Sequence, residues 1–218
     1  VGLQAALLAV AACAALTVPE LSYTRAPGSR IERGGVMVLL RMPLFRNMVI
    51  IAALILGSHA MHDAFAVIRW SDAGINPSTV SVLWSESVAA EVLVFFVIGP
   101  AAVTFLTPAG ALAVAALAGI LRWTVMAQTT DLLALALVQP LHGITFALLH
   151  LACMRLLSRM VPNGLEGTAQ AIYGTVGIGA ASALLTLVSG SLYERFGAQG
   201  FWGMALLCIV ALPLTYKI

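Results

Sequence analysis

The sequence predicts an all-α integral membrane protein, and three observations carry that prediction. Of 218 residues, 61% are hydrophobic and only 9% charged, against about 25% charged in a soluble domain, and the mean hydropathy is +1.01. The apolar residues fall in successive runs of about the 20 residues that a helix needs to cross a bilayer. Five of the eleven basic residues, Arg25, Arg30, Arg33, Arg41 and Arg46, crowd into one segment, as in a cytoplasmic loop under the positive-inside rule. Cys13, Cys153 and Cys208 are odd in number, widely spaced and set in apolar runs, so they read as packed or lipid-facing thiols, not as a disulfide framework or zinc site. No phosphate loop, nucleophile elbow or nucleic-acid signature occurs, and no cofactor is expected.

Taken in order, residues 1–19 form a first spanning helix, ended by Pro19-Glu20. Residues 20–46 make a basic cytoplasmic linker with a short surface helix at Val36–Leu40. The second span covers Asn47–Trp70 and is followed by a turn-rich external loop, Ser71–Pro77. The third runs over Thr79–Phe105, with Gly99-Pro100 kinking its end, and Thr107-Pro108 supplies a cap and a first-turn proline for the fourth. That alanine-rich span ends near Ala127. After the tight Gln128–Asp131 loop, the fifth span continues to Leu157, where Arg155 and Arg159 return the chain to the cytoplasm. The sixth, Glu166–Tyr193, carries Gly174, Gly177 and Gly179, which read as packing and hinge positions. The seventh, Phe201–Tyr216, ends at Lys217 on the cytoplasmic side.

One span, a long basic loop and six closely connected spans (47–218) match the second half of a twelve-helix carrier built from parallel repeats. The expected partners are therefore an N-terminal six-helix half, the lipid bilayer and a small-molecule substrate. The expected location is the cell's inner (plasma) membrane, multi-pass, with linker and C-terminus cytoplasmic.

The fifth span holds the feature hardest to reconcile with lipid. At about 100° per residue, Gln139, His142, Phe146, His150 and Cys153 share an arc of roughly 80° on one helix face. Ionisable groups within hydrocarbon cost about 2.5–3.5 kcal/mol or more each, so such a stripe faces a bundle interior or a water-filled path.

Gly57-Ser58-His59-Ala60, Leu83-Trp84, Ala90-Glu91-Val92 with Phe95, Arg122-Trp123, Gln139 with Leu141-His142, Thr145-Phe146, His150, Ala169-Gln170-Ala171 with Tyr173, and Gly190 with Leu192-Tyr193 resemble the 3-phenylpropionic acid permease group of the major facilitator superfamily. The resemblance covers residues 41–210 or so. It implies the C-terminal six-helix half of that fold plus one preceding helix, in a proton-coupled importer of an aromatic carboxylate; nucleoside and oligosaccharide proton symporters are more distant relatives. It also implies a site like that of the lactose permease type, with an acid on the eighth helix, an arginine on the ninth and a histidine on the tenth, here Glu91, Arg122 and His142. The chain departs from that pattern at Thr145, where the sugar permease has a further carboxylate, and at His62, where the aromatic-acid group would carry tyrosine.

In a symporter Glu91 suits the proton-carrying role, with Arg122 competing with the proton for it. Trp84, seven residues before Glu91 and so on nearly the same face, can stack on a substrate ring. A fixed Glu91–Arg122 ion pair joining two helices is the alternative. His142 and His150 can hold a substrate carboxylate or relay a proton, or bond neighbouring helices as neutral imidazoles. His59, His62 and Asp63 share a face continued by Ala66 and Trp70, and are read as substrate or proton contacts or as interhelical hydrogen bonds. A membrane metalloenzyme built on these three is the reading from another class; too few further ligands accompany them, so no metal site is expected. Gln170 and Tyr173, three apart, can bond a polar ligand. Asp72, Asp131, Glu194 and Arg195 belong to loops or helix ends.

Overall fold

The computed structural model describes residues 9, 10, 12–14, 16, 17 and 34–218. The chain divides into two compact units, Val1–Glu32 and Arg33–Ile218. In the first, the described residues are helical as far as Leu16, and the Thr17 hydroxyl donates to the Ala14 carbonyl at 2.8 Å. Most of the expected 1–19 span, together with Arg25, Arg30 and Arg33 of the linker, lies outside the described residues.

The second unit is helical at nearly every described position. α1 (Gly35–Arg41) lies where the sequence predicts a short surface helix. α2 (Pro43–Gly57) and α3 (Ala60–Asp72) follow, with α3 continuing directly from Ser58 and His59. α4 (Pro77–Leu93) starts at Asn76, whose side chain accepts from the Thr79 amide at 2.9 Å. A π-helical segment, Val94–Ile98, joins it to α5 (Gly99–Gln128). The fifth predicted span is α6 (Leu132–Val138), a π-helical segment Gly143–Leu148 and α7 (Leu149–Met160). Asp131, expected to be a solvated loop residue, caps α6 by accepting from the Ala134 amide at 2.9 Å. α8 (Glu166–Ile172), a third π-helical segment (Tyr173–Ala180) and α9 (Ala181–Phe196) form the next run. A 3-10 turn, Gly197–Gly200, leads to α10 (Phe201–Thr215).

Among the described residues, four continuous helical runs are long and apolar enough to cross a membrane: Pro43–Asp72, Pro77–Gln128, Leu132–Met160 and Glu166–Thr215. Two of them, 52 and 50 residues long, fold back on themselves. Thr107 breaks the first with φ 62° and ψ 161°. Its hydroxyl then accepts from the Gly110 amide at 3.3 Å, so the predicted cap is in place beside Pro108. A straight helix would hold Glu91 and Arg122 about 46 Å apart, yet both reach the same imidazole, that of His142. The second run turns at Gly197, φ 55°, a left-handed conformation that suits glycine. On either side of that turn, Leu185 packs against Gly57 and Cys208 lies 3.5 Å from the Ser58 hydroxyl. Large apolar side chains point outward, Phe105 at 88% exposure among them, as lipid contact requires and water would not favour.

Two apolar cores form inside the bundle. One gathers Phe45, Ile51, Ile55, Leu112, Ala116 and Leu149 among others, and the second gathers Met61, Trp70, Trp123, Met126, Leu135 and Phe201. Along three separate spans the crossover between cores falls at polar residues: Ser58, His59 and His62; Arg122; and Gln139, His142 and Thr145. A polar layer is thus clamped between two apolar ones.

Candidate functional site

The polar layer is centred on Arg122, whose side chain is 0% exposed. Its place on α5 sets the guanidinium over the neighbouring Trp123 ring, 4.6 Å from the centroid, a cation–π contact. Nη1 donates to Nδ1 of His142 at 3.1 Å, and Nη2 donates to Oε1 of Gln139 at 3.1 Å. Nη2 also lies 3.5 Å from Nε2 of His62, while Nε has no hydrogen-bond partner. Every group that accepts from this buried cation is neutral.

These partners fix both imidazoles. Nδ1 of His142 accepts from Arg122, so its hydrogen sits on Nε2, which lies 3.3 Å from Oε2 of Glu91 without hydrogen-bond alignment. His62 has two donors at Nε2, Arg122 and the Gln139 amide nitrogen at 3.3 Å, so its hydrogen sits on Nδ1 and points to Oδ1 of Asp63 at 3.3 Å. Arg122 therefore stands between two arms of the same construction, each an imidazole followed by a carboxylate. The arms differ in access: the Asp63 side chain is 59% exposed and that of Glu91 26%.

His59 meets the Thr145 hydroxyl at 2.9 Å, and its ring lies 5.1 Å from that of His142. Trp84 lies 4.9 Å from the His62 ring, at the inner edge of a cleft of about 520 Å³ between α3 and α4 lined also by Val67, Ser71, Pro77, Val80 and Ser81. Ser58 accepts from the Trp123 indole at 2.8 Å and from the Cys208 thiol at 3.5 Å, so it fixes the ring beneath the guanidinium. Cys153 and Cys208 are buried thiols and Cys13 is exposed.

The structure brings Glu91, Arg122, His142, Gln139, His59, His62 and Asp63 into one neighbourhood. Among the described residues no ion pair joins Glu91 to Arg122; the His142 ring stands between them. His150 and Tyr173 lie outside this network and bond each other, Nδ1 to the phenol oxygen at 3.1 Å. Gln170 is exposed and is not drawn to Arg122. Along the predicted stripe Gln139 and Cys153 are buried and His142, Phe146 and His150 half-buried, and the π-helical segment Gly143–Leu148 interrupts the 100° step after His142. His62 does not suit a metal, since its only unprotonated nitrogen faces a guanidinium and an amide. Thr145, Ser58 and Trp123 carry no ionisable signal in the sequence; they stand there only among the residues of the family resemblance, Thr145 as a departure from the sugar permease pattern.

No solved structure matches the chain. It is 37% identical over 165 residues to the probable 3-phenylpropionic acid transporter of Escherichia coli (strain K12), covering 76% of this chain and 43% of that protein. The chain thus spans less than half the length of that curated relative. Residues 3–204 match the MFS_1 like family. On that match, which takes in both arms of the Arg122 network, the chain belongs to the MFS_1 like family of major facilitator superfamily transporters.

Proposed function

We propose that the chain is the substrate-holding half of a proton symporter that imports a small aromatic carboxylate such as 3-phenylpropionate. The observation that carries this reading is the Arg122 cation, buried among neutral acceptors with each carboxylate one imidazole away. A buried, uncompensated cation costs several kcal/mol, and an anion arriving beside it offsets that cost. The half-exposed end of the network is the His142 Nε2–H, 3.3 Å from the Glu91 carboxylate. A substrate carboxylate takes the same donor, and two negative charges at one donor repel until Glu91 accepts a proton. Binding of substrate and of proton are thereby coupled through competition for one hydrogen. Trp84 supplies an aromatic face near His62 for the ring of the substrate.

On this reading the turns at Thr107 and Gly197 separate six membrane passes within residues 47–218. A further N-terminal half completes the cavity, and the arginine-rich linker and the C-terminus face the cytoplasm of an inner (plasma) membrane. The test is uptake of 3-phenylpropionate by the complete carrier in proteoliposomes with an imposed pH gradient. Glu91→Gln is expected to keep substrate exchange at equal pH and to lose accumulation against a concentration gradient. Unchanged accumulation in E91Q removes Glu91 from the coupling step.

A further inference from the structure

A second cluster lies on the same half-buried surface, toward the end of the span that carries Arg155 and Arg159. Its centre is the hydrogen-bonded pair His150 and Tyr173, at 3.1 Å. Around it the rings are in sequence: Phe146 stacks on His142 at 5.6 Å and 13°, Phe95 stands edge-on to Phe146 at 6.2 Å and to His150 at 5.9 Å, and Tyr173 lies 5.6 Å from His150. A continuous ladder of rings therefore connects the Arg122 network to His150, although no hydrogen bond does so among the described residues.

The backbone gives an independent pointer. The described chain has three π-helical segments, and each supplies one ring to this cluster: Phe95 from Val94–Ile98, Phe146 from Gly143–Leu148 and Tyr173 from Tyr173–Ala180. π-helical turns account for well under 1% of residues and are frequent at functional sites. Two of these rings, Phe95 and Tyr173, meet the His150 imidazole and the third, Phe146, meets Phe95, which goes beyond what packing alone asks for, since an ordinary α-helix buries phenylalanine equally well.

Resting on the transport reading above, we propose that His150 and Tyr173, framed by Phe95 and Phe146, form a second binding station for the aromatic carboxylate, occupied after it leaves His142 and before release. The second station requires the tautomer in which the Tyr173 hydroxyl donates to Nδ1; the His150 Nε2–H, which has no partner among the described residues, then faces the carboxylate. Phe146, shared between the stations, carries the aromatic ring from one to the other. The chemistry required of the ligand is an aromatic ring and an anionic group about one short side chain apart.

The experiment compares Tyr173→Phe, His150→Gln and Phe146→Leu in the complete carrier, measuring 3-phenylpropionate uptake for half-saturating concentration and maximal rate, together with the unfolding temperature of each purified variant. Y173F and H150Q are expected to lower the maximal rate at least tenfold while the half-saturating concentration stays within twofold, and F146L to lower the rate by a similar factor, all without a fall in unfolding temperature. Rates within twofold of the unsubstituted carrier overturn the second station, as do losses of rate that track a falling unfolding temperature or a proportionate rise in half-saturating concentration. Absence of any 3-phenylpropionate uptake by the unsubstituted carrier overturns the substrate reading and the assigned ligand together, a result distinct from uptake that ignores these substitutions.

Discussion

The Arg122 network and the His150 cluster sit a few turns apart on the same surface and are built by opposite rules. The first is polar throughout: one cation, two imidazoles, an amide and two carboxylates, every imidazole tautomer fixed by its neighbours. It is carried largely on regular α-helix and clamped between two apolar cores. The second has one side-chain hydrogen bond and several rings, all but His150 supplied by irregular helix. A tight network selects and holds charge; a soft aromatic surface lets a ring slide. A carrier needs both, because a site that only holds cannot release.

That contrast predicts different failures. The largest effect is expected for Arg122→Gln, which removes the cation, leaves His142 Nδ1 without its donor and leaves His62 with the Gln139 amide alone; binding of 3-phenylpropionate measured by calorimetry on the complete carrier should weaken about 100-fold, from the loss of charge-assisted hydrogen bonds of about 1.5–3 kcal/mol each. Binding unchanged in R122Q would erase the distinction between a holding and a sliding site. Gly143→Ala attacks the seam between the two regions. A Cβ there would lie 2.6 Å from the Ala90 carbonyl oxygen and 2.9 Å from Val94 Cγ2, so the helices carrying Glu91 and His142 must separate. We expect a loss of about 1–3 kcal/mol in stability, read by denaturation in detergent, with weakened binding and slowed uptake together.

Gln139→Leu probes the network's internal order. The amide holds Arg122 and His62 at once, and its loss should weaken binding about tenfold, from one or two hydrogen bonds of about 1 kcal/mol each, while leaving the maximal rate alone. The smallest effect is expected for Asp63→Asn. That carboxylate is largely exposed and its arm is mirrored by Glu91, so uptake should change less than about threefold, as for other solvated pairs. A coupling defect in D63N as large as that of E91Q would show that the arms share the proton equally.

Much of this architecture was legible in the sequence because bilayers impose a simple code. Turn residues at Asn76-Pro77, Thr107-Pro108 and Pro162-Asn163-Gly164 mark where helices end, and the lone Glu91 and Arg122 in apolar runs advertise themselves by their cost in lipid. Two things were hidden. A π-helical segment leaves no periodic signature, so the change of step after His142 could not be read from the sequence. And charge alone suggests that Glu91 and Arg122 meet, whereas the His142 ring fits between them. Spacing along a helix reports direction and says nothing of how far a neighbouring helix stands off.

The turn at Thr107 bears on how such a molecule moves. One non-helical residue joins the pass carrying Glu91 to the pass carrying Arg122, with no slack loop to take up displacement. A joint that short behaves as a stiff elbow: tilting one arm drags the other, and the gap bridged by His142 is varied by leverage at the far end of the bundle, not by either side chain swinging free.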